Sequence, residues 1–256
     1  MDVTVHAAQG PHRVRSNDVL IASLDSLVHI PGSFDVDLDS IPGLTVLKGD
    51  GFRIISWQLK VSEEEYKYYC LIQWPERVVW FKDSRPFVNG AEYSTYTPSI
   101  WYGCLYYQII PFESDKKTYY MLLGFNAESS QLNTKIADIL DLSGPEPQLG
   151  VPLFFGPESS KSRIIFTYAD VSSAHLSYDK DLKGIVFDHL INMPGVGPEG
   201  EALPVSDGSL EAYILKKGTW NYEAEVYDVQ VKEPPMTDER KNRKEDKDIL
   251  GRPKHE

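Results

Sequence analysis

Cysteine is scarce in this chain: 256 residues contain two, Cys70 and Cys104. A chain of this length buries enough apolar surface to fold without disulfide or metal staples. The two thiols could pair if their strands are neighbours, but the simpler reading is two small buried side chains. Cysteine usage therefore leaves the redox compartment open. Long apolar runs are missing too, so no transmembrane segment is expected. The first ten residues lack both a basic n-region and an apolar h-region, so no signal peptide is expected in the chain as it stands. Positive charge is in deficit: 26 Lys and Arg against 38 Asp and Glu leave a net charge of -12. Such a field repels a phosphate backbone and excludes nucleic acid as an expected partner. From Val231 onward basic and acidic residues alternate, so that segment is mixed rather than basic. Catalytic signatures are also absent, with no serine in a nucleophile elbow and no His-Glu-x-x-His.

Aromatic residues are plentiful, with 15 Tyr, 10 Phe and 5 Trp. They recur in pairs of strand-like runs joined by short charged turns. Trp101 to Ile110 is followed by Thr118 to Phe125 across Glu113-Ser-Asp-Lys-Lys117. Ala174 to Tyr178 is followed by Gly184 to His189 across Asp179 to Lys183. Leu210 to Leu215 is followed by Thr219 to Glu223 across Lys216-Lys-Gly218. Such pairs read as hairpins of a mainly β, antiparallel protein. Earlier in the chain, Gly49-Asp50-Gly51 reads as a turn. Arg53 to Leu59 alternates, with Ile55, Trp57 and Leu59 on one face. Tyr66 to Trp74 alternates likewise, with Tyr66, Tyr68, Cys70, Ile72 and Trp74 on one face, and Ser62 to Glu65 joins the two. Hairpins recur about every 50 residues, near Arg53, Trp101, Arg163 and Leu210, which suits either a propeller-like or a sandwich-like arrangement.

Two short helices are expected within this β framework. One covers Asn17 to His29, with Leu20, Leu24, Leu27 and Val28 at helical spacing, Asn17 or Ser16 as N-cap, and Pro31-Gly32 as the stop. The other covers Asn133 to Leu140. Residues 1–16 are expected to be disordered, 17–231 to form a single mainly β domain, and 232–256 to form a disordered charged tail.

Candidate chemistry is sparse. Gly195-Val-Gly-Pro-Glu-Gly200 has the letters of a dinucleotide fingerprint, but Pro198 and Pro204 place it in a loop and no strand-helix alternation surrounds it. Gly156 to Ser162 ends like a phosphate loop, yet Ser160 stands where glycine is required. No cofactor is expected. Asp35, Asp37 and Asp39 have a spacing that can wrap Ca²⁺, although Ser40 and Val46 depart from the EF-hand pattern. The competing reading is a solvated edge strand with Val36 and Leu38 packed behind it. Asp188 and His189, with Asp179 and His175 in the same hairpin, form the sole acid/base constellation, and His175 and His189 could approach across the hairpin. Adjacent strand residues point to opposite faces, so Asp188 and His189 share a site only if a bulge intervenes. Finally, Trp57, Trp74, Trp80, Trp101 and Trp220 could line a face that stacks on sugars or grips a peptide, or could simply be core.

The runs Asp50 to Trp57, Trp101 to Tyr107, Tyr119 to Phe125, Tyr178-Asp179, Ile185 to Leu190 and Asp207 to Leu210 resemble those of a family of uncharacterised proteins from Bacteroidota. The resemblance runs from about Asn17 to Tyr227. Members often carry export signals, which implies an envelope or periplasmic location if such a signal lies upstream. The family has no assigned activity, so the resemblance implies no catalytic residues. The expectation is a non-enzymatic binding or structural protein with a protein or glycan partner, and the alternative is a glycan or peptide hydrolase using Asp179, Asp188, His189 or His175.

Overall fold

Runs of apolar and aromatic residues build about half of this protein into strands, nearly all of them antiparallel. The computed structural model describes residue 4 and residues 7–84, 90–157, 159–224 and 226. The charged tail from residue 232 lies outside the described residues. The chain begins with helix α1 (Gly10–Val28), which starts with proline in its first turn and stops before Gly32, a residue at φ 83°. Four strands follow, β1 (Thr45–Lys48), β2 (Arg53–Lys60), β3 (Tyr66–Trp74) and β4 (Arg77–Phe81), and they pair in sequence order.

The second sheet contains β5 (Leu105–Ser114), β6 (Lys117–Ala127), β7 (Leu132–Asp141) and β11 (Arg163–Ala169) in the order β11-β7-β6-β5, with β8 (Gln148–Leu149) added to β7. The third has six strands: β9 (Phe154–Phe155), β10 (Ser160–Lys161), β12 (Leu176–Asp179), β13 (Gly184–Met193), β14 (Leu203–Lys216) and β15 (Thr219–Glu223). They run in the order β10-β9-β15-β14-β13-β12. The β9–β15 pairing is parallel and every other ladder is antiparallel.

The hydrophobic pattern stacks these elements in layers. Leu24 and Val28 of α1 cover Ile55, Trp57 and Leu71 on one face of the first sheet. The opposite face, with Ile54, Tyr68, Cys70 and Ile72, packs against Tyr106, Leu122, Ile136 and Leu140 of the second sheet. The far face of the second sheet, with Met121, Leu123, Ala137 and Ile139, packs against Ile185, Phe187, Tyr213 and Trp220 of the third. The mainly β, antiparallel class is thus observed, as a sandwich-like stack of three sheets under one helix. The alternations of β2 and β3 fall on the faces that their spacing indicates.

Two expectations change. Asn133 to Leu140 is strand β7, not a helix. It is buried on both faces, so apolar residues occur at i, i+3 and i+4 without helical meaning. Residues 10–16 are helical rather than disordered: the buried Arg13 donates to the carbonyls of Lys60, Ala7 and Ala8 and pins this end of the helix to the first sheet. Asn17 is correspondingly not a cap. It is buried mid-helix, and its Oδ1 accepts a 2.8 Å hydrogen bond from Trp57 Nε1.

Candidate functional site

The acid/base candidates fall on different partners. Asp179 Oδ1 accepts from the amides of Asp181 and Leu182, the work of a turn cap. Asp188 Oδ2 accepts from the amide of His175 at 3.0 Å. The His175 ring is 2.7 Å from Ser177 Oγ. His175 and Ser177 flank the buried Leu176 and therefore lie on the face away from the core. His189 turns the other way. Its Nδ1 lies 2.7 Å from Glu211 Oε1, and Glu211 stands opposite the core residue Phe187. The two imidazoles are thus on opposite faces of the sheet, so the expected approach of His175 and His189 is not made.

A bulge does occur beside Asp188 and His189, but it does not bring them to one site, since Asp188 accepts from the His175 amide and His189 reaches Glu211. The register between β13 and β14 shifts between Asp188 and Leu190, so that Asp207, Gly208 and Ser209 of β14 stand against His189 alone, with Gly208 at φ 86°. Tyr222 Oη donates to the same Glu211 oxygen at 2.8 Å. His189 also pulls the nearby Asp207 carboxyl down, after the hydrogen bonds from Ser209. Glu211, Tyr222 and Asp207 were not expected from sequence, because they are joined to His189 only through the bulge between β13 and β14 and the register of β14 on β15.

The tryptophans supply core rather than contact surface. Trp57, Trp101 and Trp220 are fully buried and offer no face to a ligand. Trp57 stacks on Tyr69 at 5.1 Å beneath α1, and Trp220 sits edge-on to Phe112 at 5.3 Å. Trp74 is half-buried, tilted against Phe52, with Arg77 over its ring. Cys70 and Cys104 are free, buried thiols, and burial pushes both up.

The Asp-x-Asp-x-Asp run is not a strand. Asp35 closes a 3-10 turn (Ser33–Asp35), Asp37 Oδ1 accepts from the Asp39 amide, and Asp39 pairs with Lys48 at 2.7 Å. Leu38 packs inward as expected, but Val36 is exposed. The three carboxylates surround Arg53, which burial pulls down and Asp39, Asp35 and Asp37 pull back up. Its guanidinium donates to Gln73 Oε1 and to the carbonyls of Val36 and Ser33. Among the described residues, no group of three or more His, Cys, Asp or Glu is arranged to hold a metal.

Side chains of mixed chemistry do converge beside the β1–β2 turn. A cavity of about 400 Å³ lies between that turn and the β5–β6 hairpin, lined by Lys48, Gly49 and Asp50 on one side and Ile109, Pro111, Glu113, Thr118 and Tyr120 on the other. Its volume is in the range of ligand pockets. Burial raises the Tyr120 hydroxyl first, and the Asp50 and Glu113 charges add to it. Thr118 Oγ1 donates to Glu113 Oε1 at 2.6 Å. Tyr120 lines the cavity and is set edge-on against the buried Phe52 at 4.8 Å. A second cavity, about 330 Å³, adjoins the other side of the same turn and shares Lys48 and Gly49 with the first. A third, about 120 Å³, lies between the end of α1 and the β3–β4 turn and falls below ligand size.

The sequence showed the two walls of the larger cavity only as a glycine turn and a charged turn. Ile109, Pro111 and Glu113 sit at alternate positions of β5, so they share a face, but nothing local says that Asp50 faces them. No family model, curated protein or solved structure matches the chain.

Proposed function

We propose that the protein is a non-enzymatic binding module whose ligand is a glycan held in the cavity beside the β1–β2 turn. The observation that carries this reading is the mixed lining: two carboxylates as acceptors, the Tyr120 hydroxyl as donor, and the apolar Ile109 and Pro111, all on one cavity. A sugar presents the matching set, hydroxyls that donate and accept around faces of C–H. The envelope or periplasmic location rests on the resemblance to a family whose members often carry export signals, and cell fractionation checks it.

A hydrolase is the second reading, favoured by Asp50 and Glu113 sharing one cavity. It ranks lower because both side chains are exposed, whereas a general acid needs an apolar site that keeps its proton. Titration calorimetry with a panel of neutral, amino and acidic oligosaccharides, including peptidoglycan fragments, decides between them. Binding of at least one sugar, weakened tenfold or more by Glu113→Gln in a folded variant, supports the site. Binding with release of reducing ends moves the protein to the hydrolases. If no sugar of the panel binds, the glycan reading is wrong.

A further inference from the structure

We infer that the ligand is an extended glycan chain, neutral or amine-bearing, that crosses the Gly49-Asp50-Gly51 turn and occupies both cavities that flank it. This inference rests on the binding reading above. Lys48 and Gly49 line both cavities, so the two are separated by little more than the turn itself. The turn is kept low by its glycines. At Gly49 the missing Cβ makes room for the Phe52 ring, 2.2 Å from where it would stand, which is internal packing, but Gly51 is at φ 73° with nothing within 4 Å of its missing side chain. Glycine at such points is what lets another chain approach a backbone closely. A ligand confined to one cavity would leave the other unfilled, whereas a polymer of repeating rings can fill both and cross between them. The far cavity offers the half-buried Phe34 ring, together with Asp35 and Asp37.

Charge selects the polymer. Across both cavities Asp35, Asp37, Asp50 and Glu113 oppose Lys48 and Arg53, four carboxylates against two cations. Lys48 is already paired with Asp39, and Arg53 is already committed to Gln73 and two carbonyls. A polyuronate or sulfated chain would meet uncompensated negative charge, and a neutral or amine-bearing one would not.

The test is a chain-length series of neutral and amine-bearing oligosaccharides, from one to six units, with a polyuronate series of equal lengths, measured by calorimetry on the whole protein. Affinity should rise at least tenfold between the shortest and longest sugars, and the polyuronates should not bind. Phe34→Ala should lower affinity for the longest sugar about tenfold and leave the shortest unchanged, while Glu113→Gln should weaken both. Because Phe34→Ala touches the Arg53 packing, its thermal midpoint is measured alongside, and Asp37→Asn serves as a second far-cavity variant. If a single unit binds as tightly as six, or if the polyuronates bind best, the extended-chain inference fails while the binding reading stands. Failure of every sugar removes both.

Discussion

At the scale of single residues, Asp138 and Arg163 are the most consequential pair. They stand opposite each other in the β7–β11 ladder and are 1% and 0% exposed. The guanidinium forks onto the carboxylate at 2.7 and 3.1 Å, donates to the Ala91 carbonyl and covers the Tyr96 ring at 4.2 Å. Burial pushes the Asp138 carboxyl up, against the pull of Arg163 and the amides of Ile139 and Gly150. Removing one partner strands a charge in the core, so Asp138→Asn is expected to cost about 3–5 kcal/mol of stability in denaturant unfolding. Replacing both with apolar residues, Asp138→Leu with Arg163→Met, should recover much of that loss. Equal losses for the single and the double variant would show that the pair acts through shape rather than charge. Asn17 is a smaller case of the same logic. Asn17→Leu leaves the Trp57 indole N–H without its acceptor in a fully buried site, at about 1–3 kcal/mol. A midpoint unchanged in Asn17→Leu would mean that the indole finds another acceptor.

At the scale of elements, the hairpins were readable because turn chemistry and alternation agree. The β5–β6 and β14–β15 connections are two-residue turns with both central residues at positive φ, Asp115 and Lys116 at 48° and 63°, Lys217 and Gly218 at 51° and 83°. The second uses glycine where the primed turn favours it, and the first uses lysine. Lys116→Gly is therefore expected to stabilise the protein by about 1 kcal/mol, since a side chain in that region costs roughly 1–2 kcal/mol. A higher midpoint in thermal unfolding, with the sugar binding proposed for the neighbouring cavity unchanged, is the expected result, and a lower one would show that the Lys116 side chain has a role of its own. The elements that sequence misassigned have two causes. In β7, Ile136, Ile139 and Leu140 are buried because a sheet lies on each side, and a strand covered on both faces loses the period that identifies it. In α1, the N-terminal half reads as polar because Arg13 and Asn17 are buried by hydrogen bonds rather than by apolar contact. The candidate site was legible only as its two separate turns. Asp50 and Glu113 are brought to one cavity by the packing of the first sheet on the second, a relation that no local pattern carries.

At the scale of the whole molecule, stacking three sheets creates two inter-sheet cores, and both are built with tyrosine. Tyr106 is in the first core, with its hydroxyl accepting from Trp101 Nε1 at 3.1 Å. Tyr107, Tyr213 and Tyr222 belong to the second, where the Tyr107 hydroxyl donates to the Leu176 carbonyl. Burial pushes Tyr213 and Tyr222 up to about 12 from an ordinary value of 10.0, and the carboxylate of Glu211 adds to the rise in both. Tyr106 and Tyr107 are raised further, again chiefly by burial. The folded protein therefore holds protons that the unfolded chain releases near pH 10. The tyrosines' contribution to stability is fully present below that pH and is lost as pH climbs from about 10 through 12. Alkaline titration should show a phenolate absorbance step displaced above pH 10 and, over the same window, loss of near-ultraviolet circular dichroism, since the charge on these hydroxyls weakens the packing between the sheets. Tyrosines that all titrate near 10 with the dichroism intact would mean that water reaches the inter-sheet layers, and the stack would then be looser than its packing indicates.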